Sequence, residues 1–143
     1  MLKQTQKLPL DEIMNITMSV CAALKELHAI GIIHRDVSPD NIFMCSNGKI
    51  KLIDFGAARF SLNEEKKMTI ILKPGFAPPE QYEKINKQGP WTDIYALGAT
   101  VYLLLTGTKP DESTNRKVDD KVVPPNKLDP GIPDYISNTV MKS

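Results

Sequence analysis

One stretch of this chain is apolar on nearly every side, and it constrains the fold more than any other feature. From Ile94 to Thr108 no residue carries a charge, and apolar side chains would face every direction of an α-helix. Such a helix is stable only where other elements cover it, as at the centre of a domain. The stretch is shorter than the roughly 18 apolar residues that a membrane span needs. We therefore predict a buried central helix that ends at Gly107.

A second helix is predicted near the N-terminus. Pro9 is expected to begin it and Gly31 to end it, and two acidic residues fall in its first turn, where they suit the helix dipole. His28, on the apolar side of its last turn, is predicted to be a core residue. The face predicted to be buried consists of Leu10, Ile13, Met14, Thr17, Cys21, Leu24 and Leu27.

Between these helices the sequence predicts a β-hairpin. Residues 41–45 and 49–53 are short β-rich segments, and Ser46, Asn47 and Gly48 separate them. Asn47 and Gly48 are expected to supply the positive φ angles of the turn. A polar loop at residues 34–41 leads into the first segment, and another polar loop, beginning at Asp54, follows the second. A hairpin would bring these two loops close together.

The remaining segments have weaker patterns. Residues 57–75 show no sustained periodicity, which is typical of a mobile loop, and prolines then indicate a tight turn. Residues 109–133 are rich in proline and charge, which indicates an irregular surface connection with a short helix whose position the pattern does not give. Pro133 and Asp134 are expected to open a last helix that runs from Tyr135 to Ser143.

Length, charge and cysteine content exclude several classes of protein. A chain of 143 residues is the size of one domain, and 18 basic against 17 acidic residues leave no basic stripe for nucleic acid. Cys21 and Cys45 form neither a disulfide framework nor a zinc-binding pattern, so we expect reduced thiols in the cytoplasm. The N-terminus lacks the pattern of a secretory signal.

The strongest motif combines the two polar loops. His34, Arg35 and Asp36 are followed by Asn41 five residues after the aspartate, and Asp54-Phe55-Gly56 begins thirteen residues after Asn41. In combination these residues resemble the catalytic loop and the metal-binding loop of the protein kinase family. A reading as turn formers alone stays open, but it does not account for the combination.

The resemblance implies a role for each of these residues. Asp36 would orient the substrate hydroxyl and accept its proton, while Asn41 and Asp54 would hold Mg²⁺ and, through it, ATP. Gly56 would let the backbone turn beside Asp54. In this family the histidine of the catalytic loop packs against the phenylalanine of the metal loop, so His34 is expected to be structural and to contact Phe55.

Further residues resemble the regulatory and structural parts of a kinase. Arg35 resembles the arginine that pairs with a phosphorylated activation loop, and Thr69, rather than Ser61, is the predicted phosphosite. Arg35 could instead pair with nearby carboxylates. Residues 74–80 resemble the end of the activation segment, where Glu80 normally pairs with an arginine beyond this chain. Asp93 resembles the aspartate that braces the catalytic loop, although a helix N-terminal charge is a compatible reading.

Two departures from the family pattern look reciprocal. Common serine/threonine kinases carry a lysine two residues after the catalytic aspartate, where it contacts the transferred phosphate, but this chain has Ser38 in the nucleotide site. Those kinases also have a threonine immediately before the proline that matches Pro74, but this chain has Lys73. We therefore predict that Lys73 reaches into the space beside Ser38 and acts as a catalytic cation. An exposed loop lysine is the alternative.

The nucleotide-clasping half of a kinase has no counterpart in the sequence. The eight glycines include no G-x-G spacing, and no strand lysine of the family type precedes the catalytic loop. The resemblance therefore implies an α+β, mainly α, fold: a kinase-like C-terminal lobe with a small β-hairpin and without the N-terminal lobe. Residues 1–143 would be a partial kinase domain that is truncated at its C-terminal end.

The implied activity is that of a serine/threonine protein kinase, which uses ATP and Mg²⁺ to phosphorylate a protein substrate. The isolated fragment would be inactive, and neither a nucleic-acid partner nor a membrane segment is expected. One alternative is a noncatalytic, pseudokinase-like binding module, which would not need all three of Asp36, Asn41 and Asp54. Another is a small-molecule phosphotransferase, which would not share the activation segment through Glu80.

Overall fold

The computed structural model describes residues 8–55, 59–60, 72–82 and 87–143. This part is mainly helical with two small antiparallel strand pairs, and it agrees with the predicted α+β class. A short 3₁₀ helix, Pro39–Asn41, precedes β2. The other elements in chain order are α1 Leu10–Ala29, β1 Ile32–Ile33, β2 Ile42–Met44, β3 Ile50–Leu52, β4 Arg59–Phe60, α2 Pro79–Tyr82, α3 Pro90–Thr106, α4 Ser113–Arg116, α5 Pro125–Leu128 and α6 Asp134–Lys142.

Helix α1 begins after Pro9 and ends just before Gly31, as predicted, and Gly31 adopts a φ of 76°. Its fully buried residues are Ile13, Ile16, Val20 and Leu24. The prediction of the buried face was therefore partly wrong, because it did not include Ile16 and Val20. Several residues of the predicted face instead pack at the edge of the core, partly buried. The apolar stripe is wider than the predicted one, and only contact with other elements decides which of its residues lie deepest.

Helix α3 is the buried central helix that the apolar run predicted. It begins at Pro90 and ends at Gly107, whose φ of 71° is typical of a helix C-terminus. The amide of Gly107 donates to the Leu103 carbonyl at 2.8 Å. Leu97, Val101 and Leu105 of this helix share one hydrophobic core with the buried face of α1 and with residues of the hairpin and α6.

Strands β2 and β3 form the predicted hairpin, with Ile42 opposite Leu52 and Met44 opposite Ile50. Gly48 supplies a positive φ of 77°, but Asn47 does not, so that part of the turn prediction was wrong. Asn47 instead accepts a hydrogen bond on its side-chain Oδ1 from the Lys49 amide at 3.2 Å. The turn is a three-residue loop with a left-handed glycine, and the side chain of Asn47 stabilises it by a hydrogen bond to the backbone.

A second strand pair differs from the sequence prediction. Strand β1 pairs antiparallel with β4, within the segment that we predicted to be a mobile loop. Each of these strands has only two residues, and so short a pairing leaves no periodic pattern in the sequence. Residues 61–71 of the same segment lie outside the described residues.

The C-terminal third supports the region around α3. The irregular connection contains two one-turn helices, α4 and α5, and α6 follows Pro133 as predicted. The hydroxyl of Ser113 donates to the Ala77 carbonyl at 2.8 Å, which ties α4 to the segment before α2. Cys21 and Cys45 are both free thiols. Among the described residues, no helix combines the length and the apolar character that crossing a bilayer requires.

Replacing a core residue of α1 should test this packing. Ile16 is 0% exposed, and Ile16→Ala should lower the free energy of unfolding by about 3 kcal/mol, because the substitution loses apolar burial and leaves a cavity. Met18, on the same helix, is 64% exposed, so Met18→Ala should change that free energy by less than about 0.5 kcal/mol. Urea unfolding followed by circular dichroism measures both. Equal losses would contradict the position of Ile16 in the core.

Candidate active site

The loop that carries Asp36 is held by a buried carboxylate on α3. Asp93 is 0% exposed, and its two oxygens accept hydrogen bonds from the amides of His34, at 2.9 Å, and Arg35, at 2.7 Å. Arg35 adopts a φ of 69°, a left-handed conformation that is unfavourable for a residue with a Cβ atom. The two hydrogen bonds to Asp93 stabilise this conformation. The contact agrees with the bracing role that the resemblance implied.

A third donor to Asp93 was missed by the sequence reasoning. His28 Nε2 lies 2.7 Å from Asp93 Oδ2, so His28 is not simply an apolar core residue. Its position in the last turn of α1, shortly before the catalytic loop, was the available signal. The sequence could not show that this turn lies against the start of α3, because that contact joins residues 65 positions apart.

Asn41 is tied to the backbone of Asp36. Its side-chain Nδ2 donates to the Asp36 carbonyl at 2.7 Å, and Asn41 itself is buried. Pro39 begins the 3₁₀ helix between them, so this turn is compact and its geometry restricted. Because the amide nitrogen faces Asp36, the amide oxygen lies on the opposite side of the group. That oxygen is the atom that a magnesium ion would take.

Asp54 lies on the neighbouring loop, directly after the hairpin. The amide of Ile53 donates to the Asn41 carbonyl at 2.8 Å, which extends the β2–β3 pairing up to the residue before Asp54. Asp54 is exposed and has a φ of 63°, a left-handed conformation that aspartate tolerates better than most residues. The hairpin therefore sets the loops of Asp36, Asn41 and Asp54 side by side.

His34 lies beneath these loops. It is fully buried, its Nδ1 accepts a hydrogen bond from the Asp36 amide at 3.3 Å, and its ring meets the ring of Phe55 edge-on at 5.1 Å between centroids. Burial lowers the pKa of His34, while the charges of Asp93, Asp36 and Asp54 and the Ile53 carbonyl act in the opposite direction. A neutral buried ring of this kind suits the structural role predicted for it.

Lys73 lies beside Ser38 and Asp36. Its Nζ donates to the hydroxyl of the buried Ser38 at 2.9 Å, and it lies 3.1 Å from Asp36 Oδ1 and 3.7 Å from Asp40 Oδ2. The lysine is therefore not the exposed loop side chain that was the alternative reading. Its position agrees with the prediction that Lys73 occupies the space beside Ser38, and its role in catalysis stays a prediction.

The segment after Lys73 folds back on itself and is anchored at several points. The carbonyl of Lys73 accepts hydrogen bonds from the amides of Phe76 and Ala77, both at 3.0 Å. Glu80 Oε1 accepts a hydrogen bond from the Thr92 hydroxyl at 2.9 Å, at the start of α3. Next to Glu80, the side chain of Gln81 donates to the Arg35 carbonyl at 2.8 Å. No sequence pattern pointed to Gln81.

The donor chemistry of the two loops fits magnesium. A carboxylate from Asp54 and an amide oxygen from Asn41 are hard oxygen ligands, and Mg²⁺ in phosphoryl-transfer sites typically takes only one or two protein carboxylates, with phosphates and water completing its shell. No cluster of three or more His, Cys, Asp or Glu residues is found among the described residues. A site made of one carboxylate and one amide would not produce such a cluster.

Three of the predicted positions have a limited structural account. Gly56 and Thr69 lie outside the described residues. Arg35 is described, and its backbone contacts are given above, but its pairing with a phosphorylated Thr69 stays a prediction.

The burial of His34 has a consequence for stability. The pKa of His34 in the folded chain lies below the ordinary value of 6.5. As the pH falls, His34 therefore takes up a proton more readily in the unfolded chain than in the folded chain. The contribution of the neutral His34 ring to the free energy of unfolding is therefore fully present above about pH 6.5, and it is lost as the pH falls below that value. Between pH 7 and pH 5 the free energy of unfolding should decrease more in the wild type than in His34→Gln. Urea titrations at both pH values measure this, and parallel decreases would contradict it.

The comparisons with known proteins agree on one family. The sequence profile of the protein kinase domain matches residues 1–140. A probable serine/threonine-protein kinase of Clostridium perfringens is 30% identical over 150 aligned positions, which cover 99% of this chain and 22% of that protein. Another from Dictyostelium discoideum is 34% identical, over 94% of this chain and 9% of that protein.

A solved structure extends the likeness to the fold. The apo form of PpkA-294 superposes with a TM-score of 0.75 at 39% sequence identity, over 92% of this chain and 46% of the other chain. This likeness confirms the predicted kinase-like fold class. The chain spans less than half of that structure and at most about a quarter of the two curated relatives.

Proposed function

This chain belongs to the protein kinase domain family, and on that premise we propose that it supplies the catalytic and metal-binding loops of a serine/threonine protein kinase. The reaction would transfer the γ-phosphate of ATP to a hydroxyl group of a protein. The observation that carries this proposal is the adjacency of the Asp36–Asn41 loop and the Asp54 loop at the open end of the hairpin. Phosphoryl transfer depends mainly on positioning and on charge stabilisation, which two such loops can provide.

Asp36 is the proposed catalytic base. It would accept a hydrogen bond from the substrate hydroxyl, orient the oxygen towards the γ-phosphorus and take up the proton as the new P–O bond forms. The loop around it is rigid, because Asp93 holds the two preceding amides and Asn41 holds the Asp36 carbonyl. Such preorganisation places the carboxylate before the substrate arrives, which is where much of the rate enhancement originates.

Asn41 and Asp54 are the proposed ligands of Mg²⁺ and, through it, of ATP. When bound, the metal ion would neutralise charge on the phosphates. Phe43, Ile53 and Phe55 expose large apolar side chains on and beside the hairpin. We propose that a second lobe covers these side chains in the active enzyme and completes the nucleotide site. The 143-residue chain alone would then bind ATP poorly and show little activity.

Lys73 is the proposed catalytic cation. Its ammonium group lies within reach of Asp36, Ser38 and Asp40, so a positive charge stands beside the proposed base even though the catalytic loop has no lysine two residues after Asp36. In the reaction this charge would stabilise the negative charge on the transferred phosphate. The hydroxyl of Ser38 would keep the ammonium group in place, because it accepts one of the three ammonium hydrogens.

The first experiment tests the proposed base. In the full-length natural protein, Asp36→Asn should lower phosphate transfer from ATP to casein, or to the protein itself, by at least about 100-fold, because asparagine cannot accept the proton. The exposed Asp119 provides a matched control, and Asp119→Asn should leave transfer unchanged. Radioactive γ-phosphate incorporation measures both. Equal activity of Asp36→Asn and wild type would contradict the assignment, and a folded wild type that transfers no phosphate would favour the noncatalytic binding module.

The second experiment tests the reciprocal substitution. Lys73→Thr should lower turnover by about 10- to 100-fold, because it removes the cation from the transferred phosphate. Adding Ser38→Lys to that variant restores the lysine and threonine positions of common kinases, and the double variant should recover most of the lost turnover. Lys127, an exposed lysine of α5, provides the control Lys127→Thr, which should match the wild type. A double variant no more active than Lys73→Thr would contradict the proposed role of Lys73.

A further inference from the structure

The peptide bond that leads into Asp36 has an unusual set of partners. Arg35 is a non-glycine residue in a left-handed conformation, with a φ of 69°. Its amide donates to Asp93 Oδ1 at 2.7 Å, so α3 holds the N-terminal side of the residue. Its carbonyl accepts a hydrogen bond from Gln81 Nε2 at 2.8 Å, so α2 holds the C-terminal side. An unfavourable conformation of this kind persists only where the surroundings hold it.

Gln81 is placed to hold that carbonyl firmly. Gln81 is 4% exposed, and its backbone amide donates a hydrogen bond to the Pro78 carbonyl at 3.0 Å. On its N-terminal side, the Glu80 carboxylate accepts a hydrogen bond from the Thr92 hydroxyl, and the Ala77 carbonyl accepts one from the Ser113 hydroxyl. The segment just before Gln81 is therefore tied to α3 and α4, and the side-chain amide of Gln81 reaches from it to the loop that carries Asp36.

The carbonyl that Gln81 holds belongs to the same peptide plane as the amide of Asp36. That amide points towards His34 Nδ1 at 3.3 Å, a long hydrogen bond. Rotation of the plane would break both contacts at once and would redirect the side chain of Asp36. The stronger restraint on the plane is the 2.8 Å bond from Gln81.

We infer that Gln81 is a positioning residue, which orients the proposed catalytic base Asp36 through the carbonyl of Arg35. This inference rests on the proposed kinase function. Gln81, Lys73 and Asp36 line one small cleft, so the segment from Lys73 to Gln81 touches the catalytic loop at two points. Lys73 contacts the side chains of Asp36 and Ser38, and Gln81 contacts the backbone. A displacement of this segment would therefore disturb the charge beside Asp36 and the direction of its side chain together.

A purely structural role for Gln81 would predict a different response to substitution. Gln81→Met keeps a similar volume and removes the donor, while Gln81→Glu replaces the donor with an oxygen that faces the carbonyl oxygen of Arg35. If Gln81 only fills space, Met should be tolerated and the two variants should differ in stability alone. If Gln81 orients the peptide, both variants should lose turnover, and Gln81→Glu should lose more.

The test measures turnover in the full-length natural protein, with casein as the acceptor. Gln81→Met should lower kcat by at least about tenfold and leave the KM for ATP within about twofold, because Gln81 acts on the base and not on nucleotide binding. The control is Gln88→Met, since Gln88 lies in the same region and its hydrogen bond to the Glu80 carbonyl is long, at 3.5 Å. It should match the wild type. A kcat of Gln81→Met within about twofold of the wild type, or an equal loss in Gln88→Met, would overturn the inference.

Hydrogen exchange separates this inference from the proposed function. Hydrogen exchange requires no enzymatic activity, so it can be measured in the 143-residue chain. There, Gln81→Met should accelerate exchange at the backbone amides of Arg35 and Asp36 relative to Gln88→Met. Unchanged exchange at both amides would overturn the positioning role, whether or not the protein is a kinase. If the wild-type protein transfers no phosphate while Gln81→Met still accelerates exchange, the proposed function fails and the contact of Gln81 with the loop stands.

Discussion

The rest of the site depends on the hydrogen bonds between the buried Asp93 side chain and the backbone of the loop that carries Asp36. A carboxyl group inside a domain is costly to bury unless hydrogen-bond partners surround it, and Asp93 has the amides of His34 and Arg35 and the ring of His28. These donors come from the end of α1 and the loop after β1, while Asp93 belongs to α3. The same contacts that satisfy the buried Asp93 side chain therefore join the central helix to the loop that carries Asp36.

The segment between Lys73 and Gln81 adds a second set of constraints to that loop. Asp93 acts on the loop from the core, whereas Lys73 and Gln81 act on it from the segment at residues 73–81. One contact supplies charge beside the proposed base and the other holds a backbone carbonyl. The position of this segment is therefore linked to the position of Asp36 by two separate contacts.

Sequence patterns predicted the elements whose residues repeat at a fixed period or stand next to each other in a motif. Helix α3 was predicted because every side of it is apolar, and the hairpin because two β-rich segments flank a glycine turn. The buried residues of α1 were predicted less well: Ile16 and Val20 were not predicted to be buried, and their burial depends on how the helix packs in the shared core. The β1–β4 pair was missed because two residues per strand carry no period.

By itself, the sequence determined which chemical groups are available: Asp36, Asn41 and Asp54 on two loops that a hairpin must bring together, and the exchange of lysine between positions 38 and 73. Short-range spacing and residue chemistry suffice for such inferences. The tertiary structure alone decided that His28 reaches Asp93, that Lys73 Nζ lies between Ser38 and Asp36, and that Gln81 holds the Arg35 carbonyl. Each of these contacts joins residues that are 35 to 65 positions apart, and only the packing of α1, α2 and α3 around the loop determines which side chains meet there.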